Sequence, residues 1–156
     1  MAISPNTQFS SGAVYTADQA NRFPRGVMAY NTATASDTTV TAEELQITGS
    51  SFTAVASRYY RITYVEPYVA SNTANCVFTM RIRQTNLAGA VQNTSTTLNT
   101  VGNVFFGTGG ICQAVSTFSA GTVNVVGTLA ASAGTGQAIR SATGYAFLLV
   151  EDIGPA

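Results

Sequence analysis

The chain has 156 residues, with seven acidic side chains and seven basic ones, all arginine, and no histidine, lysine or tryptophan. One domain with a substantial core is expected at this length, yet only 9% of residues are charged, against a usual ~25%. No basic cluster offers nucleic acid or an anionic membrane an electrostatic footprint, and a neutral, hydroxyl-rich surface lacks the repulsion that keeps copies apart.

Residues 1–25 differ in texture from the rest. The first eleven are polar and without period, which predicts an extended arm. Thr16 followed three positions later by Gln19 forms a capping box, and Asp18 falls in the first turn, where a negative charge complements the helix dipole. Phe23-Pro24 ends the helix, because a residue before proline is pushed out of the helical region. A helix of a turn and a half is unstable alone and must dock on something.

From residue 26 to 156 every signal is β. A first strand is expected over 27–35 and a turn over 37–39, then short strands over 45–48 and 52–56 split by a glycine-serine break at 49–51. The clearest pattern follows. Tyr60, Ile62, Tyr64 and Tyr68 alternate onto one face, as do Cys76, Phe78, Met80 and Ile82 in the next strand. Weaker strands are expected near 90–94, 101–106, 111–119 and 123–129, with small-residue loops over 107–110 and 130–136. The last strand, over 145–150, is apolar on both faces and so must be covered on both. Either Tyr145, Phe147 and Leu149 fill the core while Ala146, Leu148 and Val150 meet a neighbour, or the reverse; the alternative cover is a loop of the same chain. Many short strands and no helical period after residue 26 predict an all-β jelly-roll sandwich.

Missing side chains exclude much chemistry. Without histidine or lysine there is no Ser-His-Asp or Cys-His catalysis, no Schiff base, no phosphate-loop lysine and none of the common zinc sites. The glycine-rich runs are therefore loops rather than phosphate cradles. A carboxylate pair remains possible, and Glu66 alone has an odd setting, on the apolar side of an aromatic strand. Pairing with Arg61, Arg81 or Arg83 is the simpler expectation. Glu43-Glu44 and Glu151-Asp152 read as solvated turn charges, and Cys76 as a small buried thiol. Cys112 completes no metal pattern or disulfide framework with it. The chain is thus read as a non-enzyme with no catalytic, cofactor or metal site. No apolar run approaches the ~18–20 residues of a membrane span, and the N-terminus carries no secretory signal pattern.

Two stretches resemble known proteins. Thr16-Ala-Asp-Gln-Ala-Asn-Arg-Phe-Pro-Arg-Gly-Val27 resembles a segment near the start of small virion proteins of tailed bacteriophages. Arg58-Tyr-Tyr-Arg-Ile-Thr-Tyr64 and Gly144-Tyr-Ala-Phe-Leu-Leu-Val-Glu-Asp-Ile-Gly-Pro155 look like the central and final strands of jelly-roll modules of C1q/TNF-like architecture. Together they cover about a third of the chain.

The resemblance implies a trimer formed through one sheet, in which the central and final strands lie side by side. Tyr60, Ile62 and Tyr64 would face the core; Tyr59, Arg61, Val65, Leu148 and Val150 would face the three-fold axis. Phe78, Met80 and Ile82 would lie in the opposite sheet, whereas a plain hairpin would set them beside Tyr64. The implied role is a trimeric capsid decoration protein on a phage head, assembled in the bacterial cytoplasm. Its partners would be its own copies and the major capsid protein, not nucleic acid or membrane. Anchoring to the capsid would fall to Thr16, Gln19, Arg22, Phe23, Pro24 and Arg25. The alternative is a receptor-binding or minor module of the tail, presenting the loops at 107–110 and 130–136.

Overall fold

The structure is a computed structural model that describes residues 11, 12 and 14–156; the arm expected over residues 1–11 lies, but for its last residue, outside the described residues. The elements are α1 (Ala17–Asn21), β1 (Gly26–Ala33), β2 (Asp37–Val40), β3 (Glu44–Ala54), β4 (Arg58–Ser71), β5 (Cys76–Gln84), β6 (Val91–Asn99), β7 (Thr108–Thr117), β8 (Gly121–Ala131), β9 (Gly136–Ala138) and β10 (Ala146–Pro155).

Two antiparallel sheets face each other. The 14-residue β4 is the axis of the first. It pairs with β7 along one side, and along the other with β10 and then β9, so that Val69 bridges β7 and β9 at once; β1 lies outside β10 and β2 outside β9. The second sheet runs β3-β8-β5-β6. Since β4 and β5 are consecutive yet sit in different sheets, they cross the sandwich rather than form a hairpin. This is the jelly-roll β-sandwich expected from the sequence.

Alternation then decides the core. Tyr60, Ile62 and Tyr64 point inward from β4 and meet Phe78, Met80, Ile82, Val125 and Leu129 of the facing sheet. Phe52, Tyr60 and Phe118 form an aromatic cluster at one end, with ring centroids 5.0 to 5.8 Å apart. Cys76 and Cys112 are both free thiols within this core.

Several expectations are corrected. Residues 37–39 open β2 instead of turning. The break at 49–51 is absorbed as bulges in a continuous β3, where Gly49 takes φ +68°. Residues 101–106 are loop, while the glycines after them lead into β7. A Cβ on Gly110 would lie 2.4 Å from the Met80 sulfur, and one on Gly136 would lie 2.6 Å from the Phe78 ring. These glycines are strand positions under large core side chains. Tyr68 leaves the face of Tyr64, because the β4–β7 register shifts between Glu66 and Val69 and turns Val69 inward instead.

Candidate interaction face

Strand β10 resolves the two-sided ribbon. Leu148 and Val150, expected at a subunit interface, are wholly buried in the chain's own core beside Tyr64 and Ile62. The reverse face is the outer one. Across β1, β10, β4 and β7 the register aligns three outward rows: Thr32, Phe147, Val65 and Ile111; then Tyr30, Leu149, Thr63 and Gln113; then Val27, Glu151, Arg61 and Val115.

Val27, Tyr30, Ile111 and Val115 are each more than half exposed, and Phe147, Leu149, Val65 and Tyr59 half-buried. The face carries one ion pair, Arg61 to Glu151 at 2.8 Å. A hydrogen bond from Gln113 Nε2 to Thr63 Oγ1 at 3.0 Å and the Tyr30–Phe147 ring contact tie its rows together. Clustered exposed apolar side chains of this kind mark a candidate interaction surface. Of the expected interface residues, Tyr59, Arg61 and Val65 lie on it and Leu148 and Val150 do not. Phe147 and Leu149 answer to the reverse arrangement left open for the last strand, whereas Ile111 and Val115 were not foreseen, although their period-two spacing was visible.

The anchoring segment sits at one end of the sandwich. Thr16 and Gln19 make both bonds of the capping box, and Arg22 ends α1. Beneath it the Arg58 side chain is buried and fully engaged. Its Nε and Nη2 donate to Asp152 at 2.5 and 2.7 Å, Nη1 donates to the Asn21 carbonyl at 2.5 Å, and Nη2 also donates to the Phe23 carbonyl at 2.6 Å. Asp152 is therefore a buried strand residue, not a solvated turn charge. Glu151 likewise sits in β10. Arg22, Phe23, Pro24 and Arg25 remain exposed on the docked segment.

Glu66 is not partnered by any arginine foreseen for it. It is buried, and Arg140 holds both its oxygens, from Nε at 2.9 Å and from Nη2 at 2.6 Å; the Tyr64 hydroxyl donates to the same carboxylate. Burial and the Glu66 charge push the Tyr64 phenol well above its usual range. With its oxygens so occupied, Glu66 presents no open carboxylate to a substrate. Glu43, expected to be solvated, binds Arg81 and Arg83 and accepts from Thr128 at 2.6 Å. Among the described residues, no group of three or more potential ligands could hold a metal, and no helix is long and apolar enough to cross a membrane.

At the end opposite α1, the 101–106 loop exposes Phe105 (84%) and Phe106 (65%). Tyr68 Oη pins this loop by donating to the Val104 carbonyl at 3.0 Å and accepting from the Gly107 amide at 2.6 Å.

No family model matches the chain, and no curated protein matches it. Among solved structures it is similar to the carbohydrate binding module CBM6cm-2 from Cellvibrio mixtus lichenase 5A, at 18% identity, covering 80% of this chain and 96% of that one with a TM-score of 0.37. The CBM22-1 xylan-binding domain from Paenibacillus barcinonensis Xyn10C shares 12% identity over 86% of this chain and 99% of that one, with a TM-score of 0.34. A chain of the infectious bursal disease virus Gx strain shares 15% over 98% of this chain and 46% of that one, also at 0.34. Likeness at this level assigns no function to the chain.

Proposed function

We propose that the chain is a structural protein of a tailed-bacteriophage virion, a homotrimeric decoration protein that stabilises the head. The observation that carries this reading is the uncovered outer face of β1-β10-β4-β7, where Val27, Tyr30, Val65, Ile111, Val115, Phe147 and Leu149 surround a single ion pair in a chain with only 9% charged residues. Burying that face between copies is favourable by roughly 25 cal/mol per Å² before the costs of association. A standard interface removes about 800 Å² from each partner. Arg61 and Glu151 stay paired within each subunit and set the register between subunits.

In this reading the segment carrying Thr16, Gln19, Arg22, Phe23, Pro24 and Arg25 meets the major capsid protein. Three such segments on one trimer multiply weak contacts without any new chemistry. The protein acts mechanically, bridging capsid subunits against internal pressure. It requires no cofactor, nucleic acid or membrane and resides on the capsid surface after assembly in the bacterial cytoplasm.

Two measurements test this. Sedimentation equilibrium of the purified protein is expected to give three times the chain mass, and a stable monomer at micromolar concentration rejects the trimer. A stained gel of purified virions is expected to show a copy number comparable with that of the major capsid protein.

The pinned, exposed Phe105 and Phe106 favour a second reading, a tail module that presents this tip to a host surface. That reading expects few copies per particle. It also expects Phe105→Ser with Phe106→Ser to slow host adsorption while head stability stays unchanged.

A further inference from the structure

The seven arginines are matched unequally. Arg58, Arg61, Arg81, Arg83 and Arg140 hold carboxylates of their own chain, shared among Asp152, Glu151, Glu43 and Glu66. Among the described residues, Arg22 and Arg25 form no ion pair. Both are exposed, both lie in the docked N-terminal segment, and both border one cleft of about 380 Å³. Val55, Ala56 and Pro155 supply the apolar part of its wall, and Arg58 also lines it.

The segment is pre-organised. Arg58 holds the carbonyls of Asn21 and Phe23, which flank Arg22, and the Pro24 ring restricts the backbone leading to Arg25. Two guanidinium forks are thus displayed together with little backbone entropy left to lose on binding.

We propose that this cleft receives an acidic segment of a partner protein, with Arg22 and Arg25 each gripping an Asp or Glu carboxylate. Side-chain stems of the same segment pack on Val55, Ala56 and Pro155. The inference deepens the anchoring role above and rests on it for which end of the molecule meets the partner. Guanidinium matches carboxylate in planar, two-point geometry. A nucleic-acid strand would ask for a track of cations following its phosphates, and here the other five arginines are already engaged. Contacts at this exposure are weak singly and sensitive to salt. That suits a site repeated three times per assembly.

The test uses the full chain and two labelled probes, decaglutamate and a ten-residue oligothymidylate, read by fluorescence anisotropy across a salt series. Decaglutamate is expected to bind at low salt and weaken as salt rises. In R22Q/R25Q its affinity is expected to fall about tenfold or more. Arg81→Gln removes one positive charge elsewhere, leaves Glu43 held by Arg83, and is expected to bind as wild type does. Matching melting temperatures confirm that all three proteins are folded. Undiminished binding by R22Q/R25Q, no binding of decaglutamate at low salt, or tighter binding of the oligothymidylate each overturns the proposal. Sedimentation of the same samples separates the two claims. A trimer that ignores decaglutamate sinks the cleft alone; a monomer whose decaglutamate binding depends on Arg22 and Arg25 upholds the cleft and sinks the trimer.

Discussion

Glu66 and Arg140 stand 74 positions apart in the chain and meet in the core. Arg140 also bonds Gln46 and the Ala35 carbonyl, so one guanidinium ties β3, β4 and the chain just before β2 to its own position after β9. Replacing Arg140 with Met is expected to cost about 3–5 kcal/mol in urea unfolding, because it leaves a buried carboxylate without its cation. Glu66→Gln is expected to destabilise as well, so lost function in that variant would not point to catalysis. Glu43 gives the acid response. Hydrogen bonds from Arg83 lower it from 4.5 to about 2, against the opposing effect of burial, with help from Thr128 and the Arg81 charge. Its folded pKa is depressed, so its contribution is complete above the ordinary carboxylate range and is lost as pH falls from about 4.5 toward 2. Discounted for solvent screening, the Glu43 contribution that thermal melts should lose across that window is on the order of 2 kcal/mol, and Glu43→Gln should shrink the loss without abolishing it, since Asp37 is also lowered to about 2. That Glu66 needed a cation was legible from its apolar setting. Which arginine answers was not, since the partner depends on where β9 folds back.

At the scale of elements, the N-terminal helix shows what local sequence can specify. Thr16 and Gln19 lie within one turn of each other, so the capping box reads directly from spacing and forms as read. Its docking depends instead on Arg58 and Asp152, which are 94 residues apart. Arg58→Met is expected to release the segment: trypsin should cut after Arg22 and Arg25 faster than in wild type, and global stability should fall by about 3 kcal/mol as Asp152 loses its cation. Strand β10 shows the complementary case. Its alternation was plain, but both faces are apolar, so period alone could not tell the core side from the outer side. Pairing with β4 decides it, because Leu148 and Val150 must follow Tyr64 and Ile62 inward. In β7 the small residues Cys112 and Ala114 face the core, while the larger Ile111 and Val115 face out. That inverts the usual guess from side-chain size.

The whole molecule is a sandwich whose two ends and one face carry different potential contacts. The α1 end bears Arg22 and Arg25, which form no ion pair among the described residues, the opposite end bears Phe105 and Phe106, and the outer face of β1-β10-β4-β7 bears the exposed apolar side chains. Ile111→Asp and Val115→Asp are expected to shift sedimentation from trimer to monomer. The stability of the isolated fold should change by no more than about 0.5 kcal/mol, as is usual at exposed positions. Equal masses for wild type and both variants would place any self-association elsewhere.

The sequence by itself determined the class of the fold, the inward set Tyr60, Ile62, Tyr64, Phe78, Met80 and Ile82, and the capped turn at Thr16. These depend on residue spacing within a strand or a turn, where steric and hydrogen-bonding preferences act over a few positions. Only the tertiary structure decided which side of β10 is buried, which carboxylate each arginine holds, and that glycines resembling loop are strand residues under Met80 and Phe78. Those outcomes follow from which strands become neighbours across the sandwich, and that is set by packing between residues tens of positions apart.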